Sequence, residues 1–271
     1  MANLLSNRIA ETDLIAGDHI YSWRKGYTYA HHGIFVGDGQ VIHFTNGDEE
    51  AAFGSSWSSP FSGISGSAMA AQPVAEYEEC PACREAFSSG IKEGNSVIKT
   101  CLSCFLKGGN LYRCQYGVNP AFFLANVRGG TCTMAATDSP EEVVQRARYL
   151  LEHGFGDYNL MNRNCEDFAI YCKTGLQASS GVGISGQASY AATTAKALDQ
   201  GTSSILTSGF SIPVALTLGV CKGFALYLMD RYASDPGARK DVNRVDPEEL
   251  VSQLRRRKGR PSTAAEPQTT S

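Results

Sequence analysis

Hydrophobic positions along the chain change period several times, and each change marks an element. In residues 139–154, Val143, Val144, Ala147, Leu150 and Leu151 recur at helical spacing and form one apolar stripe. Ser139 is placed to cap that helix, Pro140 suits its first turn, Glu142 completes a capping box and Gly154 ends it. A second helix is predicted from Asn164 to Gly175, with Phe168, Ala169 and Cys172 on its buried side and Lys173 in its last turn. Upstream the pattern is that of strands: residues 14–24, then 33–37 and 40–45, rich in β-branched and aromatic residues. Asp38-Gly39 lies between the last two runs and predicts a hairpin. Leu111–Gly117 reads as a further strand.

Between and after these elements the pattern weakens. Residues 46–75 are rich in Gly, Ser and Ala and read as an exposed loop. Residues 177–204 have the same character and read as a linker. Residues 205–229 are apolar and long enough, at about 1.5 Å per helical residue, to approach a bilayer core. Lys222 and Pro213 argue against a full span, so packing onto the domain or insertion into the interface is expected. Arg255-Arg256-Arg257-Lys258 and Arg260 make a basic run suited to anionic lipid. Residues 261–271 are expected to be disordered. The domain boundaries that follow are 1–176, containing a cysteine-rich insert at about 78–106, then the 177–204 linker, an apolar helical segment at 205–235 and a polar, basic tail at 236–271.

The 271 residues, 42% hydrophobic and 19% charged, describe a globular chain. A net charge of −3 gives no footprint for nucleic acid. The first residues lack a basic flank and a long apolar run, so no secretory signal is read and the nine cysteines are expected to be reduced in the cytosol. Four of them are spaced C-x2-C-x17-C-x2-C: Cys80, Cys83, Cys101 and Cys104. That spacing suits a structural zinc site, since each C-x2-C turn presents two sulfurs to one tetrahedral ion. The second pair sits in an apolar segment, where packed thiols are the alternative.

Two segments carry candidate chemistry. Cys165 falls just after the Asn164 cap, where the helix dipole favours a thiolate, although Glu166 and Asp167 partly oppose it. The hairpin holds His31, His32 and His43, three of the five histidines. A cysteine nucleophile needs a base, and the base needs an orienting group. Each of these residues alone reads first as a buried thiol or a hydrogen-bonded strand histidine, and it is their combination that brings a catalytic reading level with that one. Hairpin register decides which histidine shares a face with His43. A two-residue turn at Asp38-Gly39 selects His32. A three-residue loop, Gly37-Asp38-Gly39, sets Gly33 opposite His43 and selects His31.

GDHIYSWRKGYTYAHHGIFVGDGQVIHF, followed much later by NCEDF, resembles the lecithin:retinol acyltransferase-like family, especially its plant NC-domain branch. The resemblance covers about residues 4–176. It implies an α+β fold: a circularly permuted papain-like arrangement with an antiparallel sheet packed on helices, to which this chain adds the cysteine-rich insert and the C-terminal apolar helical segment. It implies Cys165 as nucleophile, His31 as general base and His43 as the orienting third member, and so favours the three-residue loop. It also implies acyl transfer from a lipid ester through a cysteine thioester, with no catalytic cofactor, at a cytoplasmic membrane surface. Backbone N–H groups at the helix start are then expected to bind the oxyanion. Animal members of the family commonly read NCEHF where this chain has Asp167, and usually have Trp where it has His32. A non-catalytic zinc-bearing interaction protein and a thiol hydrolase or protease are the rival readings.

Overall fold

The computed structural model describes residues 7–24, 29–46, 80–85, 97–160, 162–179, 183–186 and 212–258. The loop expected at 46–75 lies, apart from Asn46, outside the described residues, as do 261–271. The architecture is mixed α and β. Strands β1 (His19–Arg24), β2 (Tyr29–Gly37), β3 (Gln40–Phe44), β4 (Val97–Cys101) and β5 (Tyr112–Arg113) form an antiparallel sheet in the order β4-β3-β2-β1-β5. The helices are α1 (Leu102–Leu106), α2 (Pro120–Ala125), α3 (Pro140–His153), α4 (Cys165–Thr174), α5 (Ile212–Ser234) and α6 (Pro247–Lys258). A small ribbon pairs β6 (Leu176–Ala178) with β7 (Val242–Arg244).

The strongest local signals form as expected. The Ser139 hydroxyl accepts from the Glu142 N–H, and the Glu142 carboxylate accepts from the Ser139 N–H. Gly154 ends α3 with φ 82°. The side chain of Asn164 caps α4, and Gly175 closes it at φ 66°.

Side-chain alternation splits the sheet into two working faces. One face, with Ile34, Ile42 and Phe44, packs against Val143, Ala147 and Leu150 of α3 and Phe168, Ala169 and Cys172 of α4. The other, with Ile20, Phe35 and Val41, packs against Leu102, Phe105 and Leu106 of α1.

Three regions differ from the sequence boundaries. The cysteine-rich insert is not a separate lobe at its C-terminal end: residues 97–101 pair with β3 as the edge strand of the main sheet. Within the expected linker, β6 forms and Ile184 and Ser185 are buried. The tail is not an appendage either. Leu250, Val251 and Leu254 of α6 complete the α3–α4 core, and the Tyr171 hydroxyl donates to the Val245 carbonyl at 2.8 Å. These are short or amphipathic pieces in polar surroundings; α6 has only three buried residues among twelve, so composition hides its stripe. Residues 205–211 lie outside the described residues. The C-terminal half of α5 docks through Tyr227, whose hydroxyl meets the Val127 carbonyl, and through buried Arg231, whose guanidinium lies 3.8 Å over Phe123. Among the described residues, no helix is long and apolar enough to cross a membrane.

Candidate active site and cysteine cluster

The hairpin turn explains how the histidines are sorted. The loop is two residues: Asp38 and Gly39 both have positive φ, at 51° and 65°. A bulge between Phe35 and Gly37 then shifts the register by one residue, and Gly33 faces His43. The expected three-residue loop is thus replaced by a tight turn plus a bulge, which reach the same pairing. His31 and His43 share the α1 face, with a hydrogen bond of 2.9 Å between His31 Nε2 and His43 Nδ1. His43 Nε2 lies 3.1 Å from the Thr100 hydroxyl on β4. Phe105 of α1 covers both rings, with centroids 5.2 Å and 5.4 Å away. Gly33 makes this possible: a Cβ there would stand 2.9 Å from the Phe105 ring and 3.1 Å from His43 Cβ.

Burial holds His43 well below its ordinary pKa, and His31, Arg24 and Lys107 add to the effect. His43 is therefore neutral near pH 7 and carries one ring proton. If that proton is on Nε2, it is donated to Thr100, and Nδ1 accepts from His31 Nε2–H. This tautomer leaves His31 Nδ1 as a base.

Cys165 occupies the first position of α4 and is 5% exposed. Its Sγ lies 3.8 Å from the Ala30 carbonyl oxygen, one residue before His31. The β2–β3 ladder runs from Gly33↔His43 to the turn, so the thiol meets β2 beyond the ladder's end. The expected oxyanion donors are partly spent. Asn164 Oδ1 accepts from the N–H groups of Glu166 and Asp167, at 2.8 Å and 3.2 Å.

Asp167 serves the backbone. Its Oδ2 accepts from the Asn164 N–H at 2.9 Å and its Oδ1 from the Ile184 N–H at 2.6 Å. Glu166 accepts from the Ser185 hydroxyl at 2.6 Å and the Gly186 N–H at 2.8 Å. Burial, with Glu166 adding to it, raises Asp167 to about 7. The two carboxylates strap residues 184–186 onto the start of α4, an arrangement without a local sequence signal.

His32 points to the other face. It shares a 2.8 Å hydrogen bond with His19, stacks on Tyr21, and through His19 reaches the Tyr116 hydroxyl, also at 2.8 Å. Burial, then Lys173, lowers His19 to about 3. His19 and Tyr116 carry no local mark in the sequence, because 97 residues separate the two partners.

Cys80, Cys83, Cys101 and Cys104 converge, with all four sulfurs within 4.8 Å of one another. Cys104 Sγ and Cys80 Sγ are 3.6 Å apart. A tetrahedron with metal–sulfur bonds of about 2.3 Å has sulfur–sulfur edges of about 3.8 Å, so this donor set fits one ion. The Cys83 sulfur accepts from the Cys101 N–H at 3.2 Å. Cys101 is lowered to about 6; burial opposes ionisation there, but hydrogen bonds led by the Ser103 hydroxyl outweigh it.

Residues 12–178 match the model of the family described as lecithin retinol acyltransferase. The chain belongs to that family. It is also 44% identical over 254 residues to Protein LEAD-SENSITIVE 1 of Arabidopsis thaliana, covering 93% of this chain and 91% of that protein. No solved structure matches the chain. The acyltransferase family and its plant relative agree with the resemblance read from residues 17–44 and the NCEDF box.

Proposed function

We propose that the protein is a thiol acyltransferase or phospholipase-type enzyme that takes an acyl group from a lipid ester through a thioester on Cys165. The observation that carries this reading is the His31–His43–Thr100 relay, buried across β2, β3 and β4, with His31 following Ala30, whose carbonyl meets the Cys165 thiol. The thiol proton passes to His31 Nδ1, and the thiolate attacks the ester carbonyl. His43 Nδ1 accepts from the resulting imidazolium and steadies it. As the tetrahedral intermediate collapses, the carbon–oxygen bond to glycerol breaks and His31 returns the proton to the departing alkoxide. An alcohol, an amine, a lysophospholipid or water then attacks the thioester as His31 takes its proton; the carbon–sulfur bond breaks and that proton returns to the Cys165 sulfur. No cofactor enters these steps. The fold is read as a permuted papain-like arrangement, because both histidines precede the nucleophile in the chain.

Two further parts belong to this reading. The cysteine cluster holds a structural zinc ion, with four thiolates closing the coordination sphere to substrate. The Arabidopsis relative is named for sensitivity to lead, and four thiolates are a donor set that soft cations prefer. The membrane surface is met by α5, whose Phe224, Met229 and Tyr232 are exposed, and by the basic end of α6. The burial of Cys165 and the strap over its helix favour a second reading, a non-catalytic interaction protein.

Phosphatidylcholine vesicles separate the two. The wild-type chain is expected to release lysophospholipid, and Cys165→Ser to lose that release while keeping its circular dichroism spectrum. No product from the wild type supports the non-catalytic reading, and equal product from both proteins removes Cys165 from the reaction.

A further inference from the structure

Two of the four clustered cysteines are covalent neighbours of the residues that hold the histidine pair. Cys101 follows Thr100, which is 4% exposed and hydrogen-bonded to His43 Nε2. Cys104 precedes Phe105, which is 1% exposed and covers both histidine rings. Cys101 is the cap residue of α1 and Cys104 its third residue; the helix is only five residues long, and Cys101 makes no side-chain capping hydrogen bond to it. A helix that short does not hold itself; propagation never repays nucleation. Its remaining ties include the Arg24 guanidinium donating to the Leu106 carbonyl at 2.9 Å and the Leu102 N–H donating to the Gly39 carbonyl at 2.8 Å. Cys80 and Cys83, from a distant stretch of chain, complete the sulfur set.

We propose that a soft divalent cation at Cys80, Cys83, Cys101 and Cys104 positions the His31–His43 pair for catalysis, through Thr100 on one side and Phe105 on the other. The inference rests on the assignment of His31 as the base for Cys165. Bound metal pins the cap and the middle of α1 to the 80–83 segment. That fixes the Thr100 hydroxyl as acceptor for His43 Nε2–H, which selects the tautomer with a bare Nδ1. It also keeps Phe105 over the rings and excludes water from their hydrogen bond. Without the ion, no metal–sulfur bonds tie α1 to the 80–83 segment, and the relay loses its orienting end. Thr100 and Phe105 are positioning residues; neither touches the reacting atoms. The path from the cysteine cluster to His31 runs through Thr100, Phe105 and His43.

The test follows alkylation of Cys165 by iodoacetamide, read on its own peptide by mass spectrometry, in full-length protein loaded with zinc. Removing zinc with a chelator is expected to slow Cys165 labelling at neutral pH about tenfold, the usual cost of losing an outer-shell partner, and zinc alone restores it. Thr100→Val should retain its zinc, slow labelling similarly and move the pH profile of labelling, while Thr100→Ser recovers both. If zinc removal unfolds the chain, the zinc-loaded Thr100 variants decide. A Cys165 rate and pH profile unchanged in folded zinc-free protein or in Thr100→Val would overturn the proposal, as would failure to bind zinc. The readout needs no lipid, so absence of lipid turnover would remove the acyl-transfer reading and leave this coupling standing.

Discussion

Replacing His31 with alanine is expected to lower thiolate-dependent turnover by about 10²–10⁴-fold, the range for loss of a positioned base. His32→Ala should leave most of that activity and lower stability instead. The two residues are adjacent, so strand alternation puts them on opposite faces, and the bulge in β2 sets His31 on the face of His43. His31 bonds His43 beneath Phe105, whereas His32 bonds His19 and stacks on Tyr21. Removing the His32 ring strands a buried His19 nitrogen, which costs about 1–3 kcal/mol. Steady-state rates and urea unfolding of both variants check this. The reverse pattern, with His32→Ala inactive and His31→Ala unstable but active, would exchange their roles.

A stop codon after Ser179 is expected to unfold the protein rather than release it cleanly from membranes. That truncation removes Leu250, Val251 and Leu254, buried to 1%, 4% and 8% exposure in the same core as α3 and α4. Each such side chain contributes about 1.5–3 kcal/mol by burial, so their joint loss is comparable with the whole stability of a domain, about 5–15 kcal/mol. It also removes Arg244, which bonds Asp138 at 2.7 Å beside the start of α3. Circular dichroism and gel filtration of the truncated chain read the outcome. A folded monomer retaining the wild-type melting temperature would show that α6 is dispensable to the core. Membrane binding is better tested in the full chain, by replacing exposed Phe224 and Met229 with serine.

The sequence made local features legible and left the tertiary ones hidden. The caps at Ser139 and Asn164, the stop at Gly154 and the hairpin at Asp38-Gly39 are written in a few adjacent residues, and each appears in the structure. The C-x2-C pairs were legible because ligand spacing is itself local, and the four sulfurs converge. The bulge at Val36 has no comparable mark, so the turn length was misjudged although the histidine register was reached. Thr100 was invisible as a partner of His43 because the pairing of β3 with β4 spans a long intervening stretch. The same holds for the strap at 184–186 and for α6, whose buried residues only make sense against the α3–α4 core. The expected use of helix-start N–H groups on the oxyanion overlooked the cap itself: Asn164 had the side chain to claim two of them.

Intact-protein mass spectrometry after mixing with phospholipid vesicles tests the central claim most directly. The wild-type chain should gain the mass of one acyl group, carried on the Cys165 peptide and removed by hydroxylamine, as a thioester is. Cys165→Ser should gain none under the same conditions. An adduct on another cysteine, or one that persists in Cys165→Ser, would contradict the assignment of Cys165 as the acyl-carrying nucleophile.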